Sequence, residues 1–233
     1  MDNRRTLVVL QPGYLPWLGF FDQLRRSDAF VVYDDVQYDK GGWRNRNRIK
    51  SPTGVAWLTV PVRTKGRPFQ RLLDVEIDNG QRWARDHIMS IRHCYARAPY
   101  LDRYFPALAE LLSRPWPLLV DLDLELMSLL SEWFGLRAPT LRSSALRAEG
   151  KATHRLVDMA LETGATRYLT GDAAKAYLDV DMFADHGIEV EWHGFDHPTY
   201  PQLHGPFVPH LSALDLLLNC GEDSRSVLTR ADG

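Results

Sequence analysis

The run Thr6–Leu10 is entirely apolar or β-branched and is stopped by Gln11-Pro12-Gly13. Five such residues bounded by turn formers read as a buried strand, which narrows the fold more than any other feature of the chain. Leu18, Phe21 and Leu24 then fall at helical spacing, and Ala29–Tyr33 is a second buried strand running into Asp34-Asp35. Trp57–Val62 and Leu72–Ile77 predict two more strands, with Gly66 marking a loop or hairpin between them. Trp83, His87, Ile91 and Tyr95 recur every four residues, giving one apolar helical face from about Gly80 to Ala96. Tyr104–Ser113 and Pro117–Phe134 predict two more helices, the second with Pro near its first turn and Gly135 at its end.

The last third alternates. Strands are expected at Thr140–Ser144, Arg167–Thr170 and Glu189–Phe195, a helix at Thr153–Thr163 before Gly164, and a helical turn at Val180–His186. A closing helix, Ser212–Asn219, begins with Ser212-x-x-Asp215, the spacing of a capping box, and stops at Gly221. Strands separated by helices of about ten residues favour a layered α/β fold. The expectation is a mostly parallel, Rossmann-like sheet, with a nucleotidyltransferase-like variant as the alternative. The whole chain, 1–233, reads as one α/β domain carrying a helical lobe at about 80–136.

Composition limits the function. With Lys+Arg 28 against Asp+Glu 30, the net charge is −2, so no global basic field exists to hold DNA and any anion site is local. Cys94 and Cys220 lack paired spacing, which excludes a disulfide framework and a cysteine-based zinc site. The N-terminal apolar run ends without a small-residue cleavage signature, and no stretch approaches the ~18 apolar residues of a membrane span. A cytoplasmic protein without membrane insertion is expected.

Five stretches carry candidate chemistry. Gln11-Pro12-Gly13-Tyr14-Leu15-Pro16-Trp17 follows the first strand, where open parallel sheets bind ligands. There Gln11 and Tyr14 project into a site, or the stretch is a structural turn with buried aromatics. Tyr33-Asp34-Asp35-Val36-Gln37 ends the second strand, and adjacent carboxylates on a strand point to opposite faces. One of Asp34 and Asp35 is therefore a candidate proton acceptor; the bland alternative is a surface turn. Gly42-Trp43-Arg44-Asn45-Arg46-Asn47-Arg48-Ile49-Lys50, if extended, puts four cations on one side and Asn45, Asn47 and Ile49 on the other. A guanidinium fork matches phosphate, whereas the bland reading is a solvated basic edge. Of His193, His197, His204 and His210, the first two stand four positions apart, but Gly194 and Pro198 interrupt the helix that a zincin pair needs. A single general base, His197, is favoured over a metal centre. Ser143-Ser144 ahead of Gly150-x-x-x-x-Arg155 offers either a second anion site or simple capping.

With these stretches in view, the sequence resembles the WbqC-like family over nearly its whole length. Gln11-Pro12-x-Tyr14-x-Pro16-x-x-Gly19, Tyr33-Asp34-Asp35-Val36 and Gly42-Trp43-x-Asn45-Arg46-Asn47-x-Ile49 match its first three motifs. Ala98-Pro99-Tyr100, Ser143-Ser144, Gly164-Ala165 with Tyr168, Tyr177, and Phe183 with Gly187-Ile188 follow. Tyr200-x-Gln202 and Phe207-x-Pro209-x-Leu211-Ser212-x-x-Asp215 close the set.

The resemblance implies a role in surface-polysaccharide or natural-product biosynthesis. The implied reaction is transfer of an aminoacyl group, proposed as glycine, to an amine of a sugar or similar acceptor. No cofactor is expected. The donor would be an acyl-carrier protein, a coenzyme A thioester or an acyl-adenylate. Arg46, with Arg44 or Arg48, would hold its phosphate, and Asp34 or Asp35 would take the amine's proton. Gln11, Tyr14, Trp17, Gln37, Trp43, Asn45, Asn47, Ser143, Ser144, Tyr200 and Gln202 would position substrate. The rival classes are ATP-dependent activation and non-catalytic capture of a glycan or carrier intermediate.

Overall fold

A computed structural model describes residues 4–138 and 141–229. Five strands, β1 (Thr6–Leu10), β2 (Ala29–Val32), β5 (Leu141–Arg142), β6 (Arg167–Thr170) and β7 (Glu189–Trp192), form a sheet in the order β5-β2-β1-β6-β7. Every pairing in it is parallel. The chain is α/β and Rossmann-like. Between β1 and β2 lies α1 (Leu18–Arg26), and between β5 and β6 lies α5 (Ala152–Glu162). From β1 the chain steps one way to β2, whereas β6 flanks β1 on the other side, so the strand order reverses between β1 and β6.

The apolar runs are explained by burial on both faces. Leu7, Val9, Ala29 and Val31 pack with Leu156, Val157, Met159 and Ala160 of α5 and with Phe183 of α6 (Val180–Asp185). Val8, Phe30 and Val32 join a larger core with Leu18, Phe21 and Leu24 of α1. That core continues into α2 (Trp83–Cys94), α3 (Leu101–Ser113) and α4 (Leu119–Trp133). Gly135, at φ +65°, closes α4: the Leu136 N–H donates to Ser131 O at 2.8 Å, a bond that the left-handed turn makes available. Among the described residues, no helix is long and apolar enough to cross a membrane.

Several expectations shift. The predicted strand Trp57–Val62 is β4 (Gly54–Thr59), paired antiparallel with β3 (Arg46–Ser51). Leu72–Ile77 is not a strand. Leu72 and Leu73 donate to Val36 O and Asp34 O, so the segment turns as a 3-10 helix at Leu72–Asp74 and keeps only isolated bridges beyond it. The strand predicted at Thr140–Ser144 pairs over Leu141–Arg142 and then turns at Ser143–Ala145; Thr140 lies outside the described residues. The closing helix α7 runs over Leu214–Cys220. Ser212 Oγ accepts from the Leu214 N–H, but the Asp215 carboxylate turns instead to Tyr95 and Gln202, so the reciprocal half of the capping box is unmade. A last helix, α8 (Ser224–Thr229), had no counterpart in the sequence reading.

Candidate functional site

A cavity of about 670 Å³ opens at the carboxyl ends of β1 and β6, where the strand order reverses. Leu10 and Gln11 end β1, and Thr170 and Gly171 end β6; Tyr33, Tyr168 and Tyr177 add aromatic wall. The turn after β1 closes one side with Gly13, Tyr14 and Trp17, and Trp43 and Arg44 reach in from the segment before β3.

The turn is gripped by the ribbon that follows it in sequence. Asn47 Nδ2 donates to Leu15 O at 2.7 Å and Tyr14 O at 3.3 Å. Arg44 Nη1 donates to Gln11 O and Pro12 O, each at 3.1 Å, and Arg44 O accepts the Tyr14 N–H. These bonds hold Leu15 at φ +45°, and the Gln11 amide lies in the wall with no hydrogen bond among the described residues. Tyr14 points its hydroxyl inward to His87 Nδ1 at 2.8 Å. Burial pulls the His87 pKa down to about 4, which keeps the ring neutral, and its Nδ1 shares a hydrogen bond with the phenol. The polar tip of Tyr14 is therefore already engaged inside the core.

Arg44 is the one arginine or lysine in the wall among the described residues. Asp39 lies 3.5 Å from its Nε. Behind it, Asp123 of α4 is fully buried, and among the described residues neither carboxylate oxygen has a hydrogen-bond partner. Burial drives the Asp123 pKa well above the carboxylate range, and Arg44 opposes only part of that shift. His210, the one imidazole in the wall among the described residues, sits at φ +57° with its ring 5.4 Å from Trp17 and 5.0 Å from His197.

The acidic pair forms a separate cluster. Asp34 is buried and accepts from Ser144 N–H at 3.0 Å, Ser144 Oγ at 2.9 Å and Arg142 Nε at 2.6 Å. Ser143 Oγ, which receives the Asp34 N–H, lies 2.6 Å from Asp35 Oδ1, and Arg155 holds Asp35 Oδ2. Burial would raise the Asp35 pKa, but Arg155 and Ser143 outweigh it and hold the group below its ordinary value. Neither carboxylate is in the cavity wall, although Tyr33 is, with the Arg155 guanidinium 5.3 Å over its ring.

The remaining candidates disperse. Asn45 is buried against Val60 O, and Gln37 is exposed in a bridge with Arg71. Arg46 and Arg48 lie on the outer face of β3. His197 Nδ1 donates to Pro198 O, and its Nε2 has no partner. Tyr200 and Gln202 belong to a buried group with Lys50 and Asp215 that seals the loop before α7. His193 pairs with Asp22 at 2.8 Å, and among the described residues no cluster of three metal-ligating side chains forms. Of the sequence candidates, then, the cavity gathers Gln11, Tyr14, Trp17, Trp43, Arg44, Asn47 and His210. Thr170 and Gly171 were missed as site residues; the signal for them was the end of the strand Arg167–Thr170, which the strand-order rule marks as a ligand position.

A parallel sheet covered on both faces, with a ligand-sized cavity at its order reversal, defines a Rossmann-like protein whose concave site lies where that fold binds small molecules. The chain belongs to the WbqC-like protein family, whose model matches residues 11–227. It is 34% identical over 226 residues to the uncharacterized protein Rv1507c of Mycobacterium tuberculosis (strain ATCC 25618 / H37Rv), covering 96% of this chain and 97% of that one. No solved structure was found to match it.

Proposed function

We propose that the cavity joins an activated aminoacyl donor, glycyl in the simplest case, to an amine of a sugar or similar small metabolite. One observation carries the reading: a cation (Arg44), an unengaged amide (Gln11) and an imidazole (His210) share one wall, and among the described residues no serine or cysteine does. Cys94 and Cys220 are buried elsewhere. Such a set suits direct aminolysis, in which proximity and proton removal suffice and no covalent enzyme intermediate forms. The amine nitrogen bonds to the donor carbonyl carbon, the bond to thiolate or phosphate breaks, and His210 takes the amine's proton. Arg44 holds the donor phosphate, aided by the first turn of α5, which Ala152 brings into the wall and no side chain caps. The Gln11 amide donates to the developing oxyanion.

The test offers glycyl-coenzyme A and glycyl-adenylate with a panel of amino sugars and detects the amide by mass. His210→Ala lowers kcat by about a hundredfold with KM kept, while Arg44→Ala lowers kcat/KM by about ten- to a hundredfold through donor binding. Saturable donor binding without amide across the panel overturns transfer in favour of capture. The cavity's place at the strand reversal also favours a second reading, activation of the acyl group by ATP. Pyrophosphate release on adding ATP and glycine supports that reading, and its absence removes it.

A further inference from the structure

We infer that the outer face of the β3–β4 hairpin is the docking surface for an acidic carrier protein that delivers the acyl donor to the cavity; this partner rests on the transfer reading above. The face carries a ladder of indoles and guanidiniums. Trp43 and Trp57 stack with centroids 5.4 Å apart at 29°, Arg46 lies 4.7 Å over Trp57, and Arg48 lies 5.4 Å over Trp43. The ladder stays open to solvent: Trp43 is 46% and Trp57 48% exposed, with Val55 beside them.

Its charge is unanswered from within. Among the described residues no carboxylate comes within 4.0 Å of Arg46 or Arg48. Each Nη2 rests on a backbone carbonyl, Gly41 O or His210 O, and each Nε lacks a partner. Two like charges on one strand face repel unless an external anion answers them. Tryptophan and arginine at a surface form the composition that anchors protein interfaces, and the cations select an acidic partner. A nucleic acid fits less well, because a base needs a free ring face to stack on, and here the rings cover one another and Arg46 covers Trp57. The patch also runs into the cavity. Trp43 belongs to both, and Arg44 is its neighbour, so a partner seated on the hairpin stands at the mouth with its thioester arm free to enter.

The experiment compares two donors that share one arm: glycyl-loaded holo acyl carrier protein and glycyl-coenzyme A. Calorimetric titration of the wild type is expected to show saturable carrier binding that weakens with salt. Arg46→Glu weakens carrier binding by about tenfold or more and leaves coenzyme A binding unchanged. Trp57→Ala gives the same split, and circular dichroism confirms that both variants fold. Absence of saturable carrier binding, carrier binding that neither variant alters, or parallel loss of coenzyme A binding overturns the proposal. So does a single-stranded RNA that binds with the same Arg46 dependence. The two readings fail separately. Amide from glycyl-coenzyme A without carrier binding ends docking and keeps transfer; Arg46-dependent carrier binding without amide from either donor ends transfer and keeps docking.

Discussion

At the residue scale, Tyr14 and His87 form a paired polar contact inside an apolar core. The ring of His87 is buried and meets the Tyr14 hydroxyl through Nδ1 at 2.8 Å. Burial disfavours the imidazolium and lowers the pKa to about 4. In the unfolded chain the group titrates near its ordinary value of about 6.5, so between these values the unfolded state binds more protons. Stability is therefore full above about pH 6.5 and falls as the pH drops towards about 4, by up to about 3 kcal/mol over the window. Urea unfolding at about pH 7 and about pH 4 checks this. His87→Asn costs stability at the higher pH and loses less than the wild type on acidification. An equal acid loss in both proteins would show that His87 is not the group titrating.

At the element scale, α1 has a glycine where helix propensity would prefer alanine. A Cβ on Gly19 would stand 2.3 Å from the far edge of the Trp17 indole, so the missing side chain is what lets that ring fold over the helix start into the cavity wall. Propensity alone predicts a gain of about 1 kcal/mol for Gly19→Ala. The indole is the softer party, so it swings aside, the fold survives, and the cavity loses a wall. The expected outcome is an unchanged thermal midpoint within about 2 °C, a shifted tryptophan emission, and donor affinity down by about tenfold. Unchanged affinity would remove Trp17 from the site. The strand Thr6–Leu10, the helices over 83–133 and the strand Arg167–Thr170 were legible because periodicity and glycine stops are local. Leu72–Ile77 misled because its N–H groups go to the segment after β2, a partner that no local pattern names. The ribbon's alternation was legible too: Asn45, Asn47 and Ile49 face inward. The surroundings of its cations were not: Arg44 bonds carbonyls of the turn after β1 and Lys50 is buried on Gln202, whereas Arg46 and Arg48 lie over indoles with, among the described residues, no carboxylate beside them. The partners of Asp34 and Asp35 were not legible either, because Arg142 and Arg155 lie 108 and 120 positions away.

At the scale of the whole molecule, those distant partners explain how the sheet is completed. The chain leaves the sheet after Val32, builds the β3–β4 hairpin and three helices, and returns only at Leu141. The returning strand pairs over two positions, Val31 with Leu141 and Val32 with Arg142, too few to hold an edge by backbone bonds alone. Asp34 supplies the rest: its buried carboxylate takes Arg142, Ser144 Oγ and the Ser144 N–H, tying the end of β2 to the turn after β5. Asp34 is buried but Arg142 is 36% exposed, so the charge pair is screened on one side. Removing the carboxylate costs about 1–3 kcal/mol, mostly in lost hydrogen bonds, still a sizeable share of a domain's total of about 5–15 kcal/mol. Asp34→Ala is accordingly expected to lower the guanidinium midpoint sharply and to speed hydrogen exchange over residues 141–145. Asp35→Asn, with its partially exposed pair to Arg155, falls by roughly 1–2 kcal/mol. Turnover per folded molecule stays near wild type in both, because neither carboxylate reaches the cavity. An Asp34→Ala protein as stable as the wild type but inactive would reverse the assignment, moving this pair from the seam of the sheet into the chemistry.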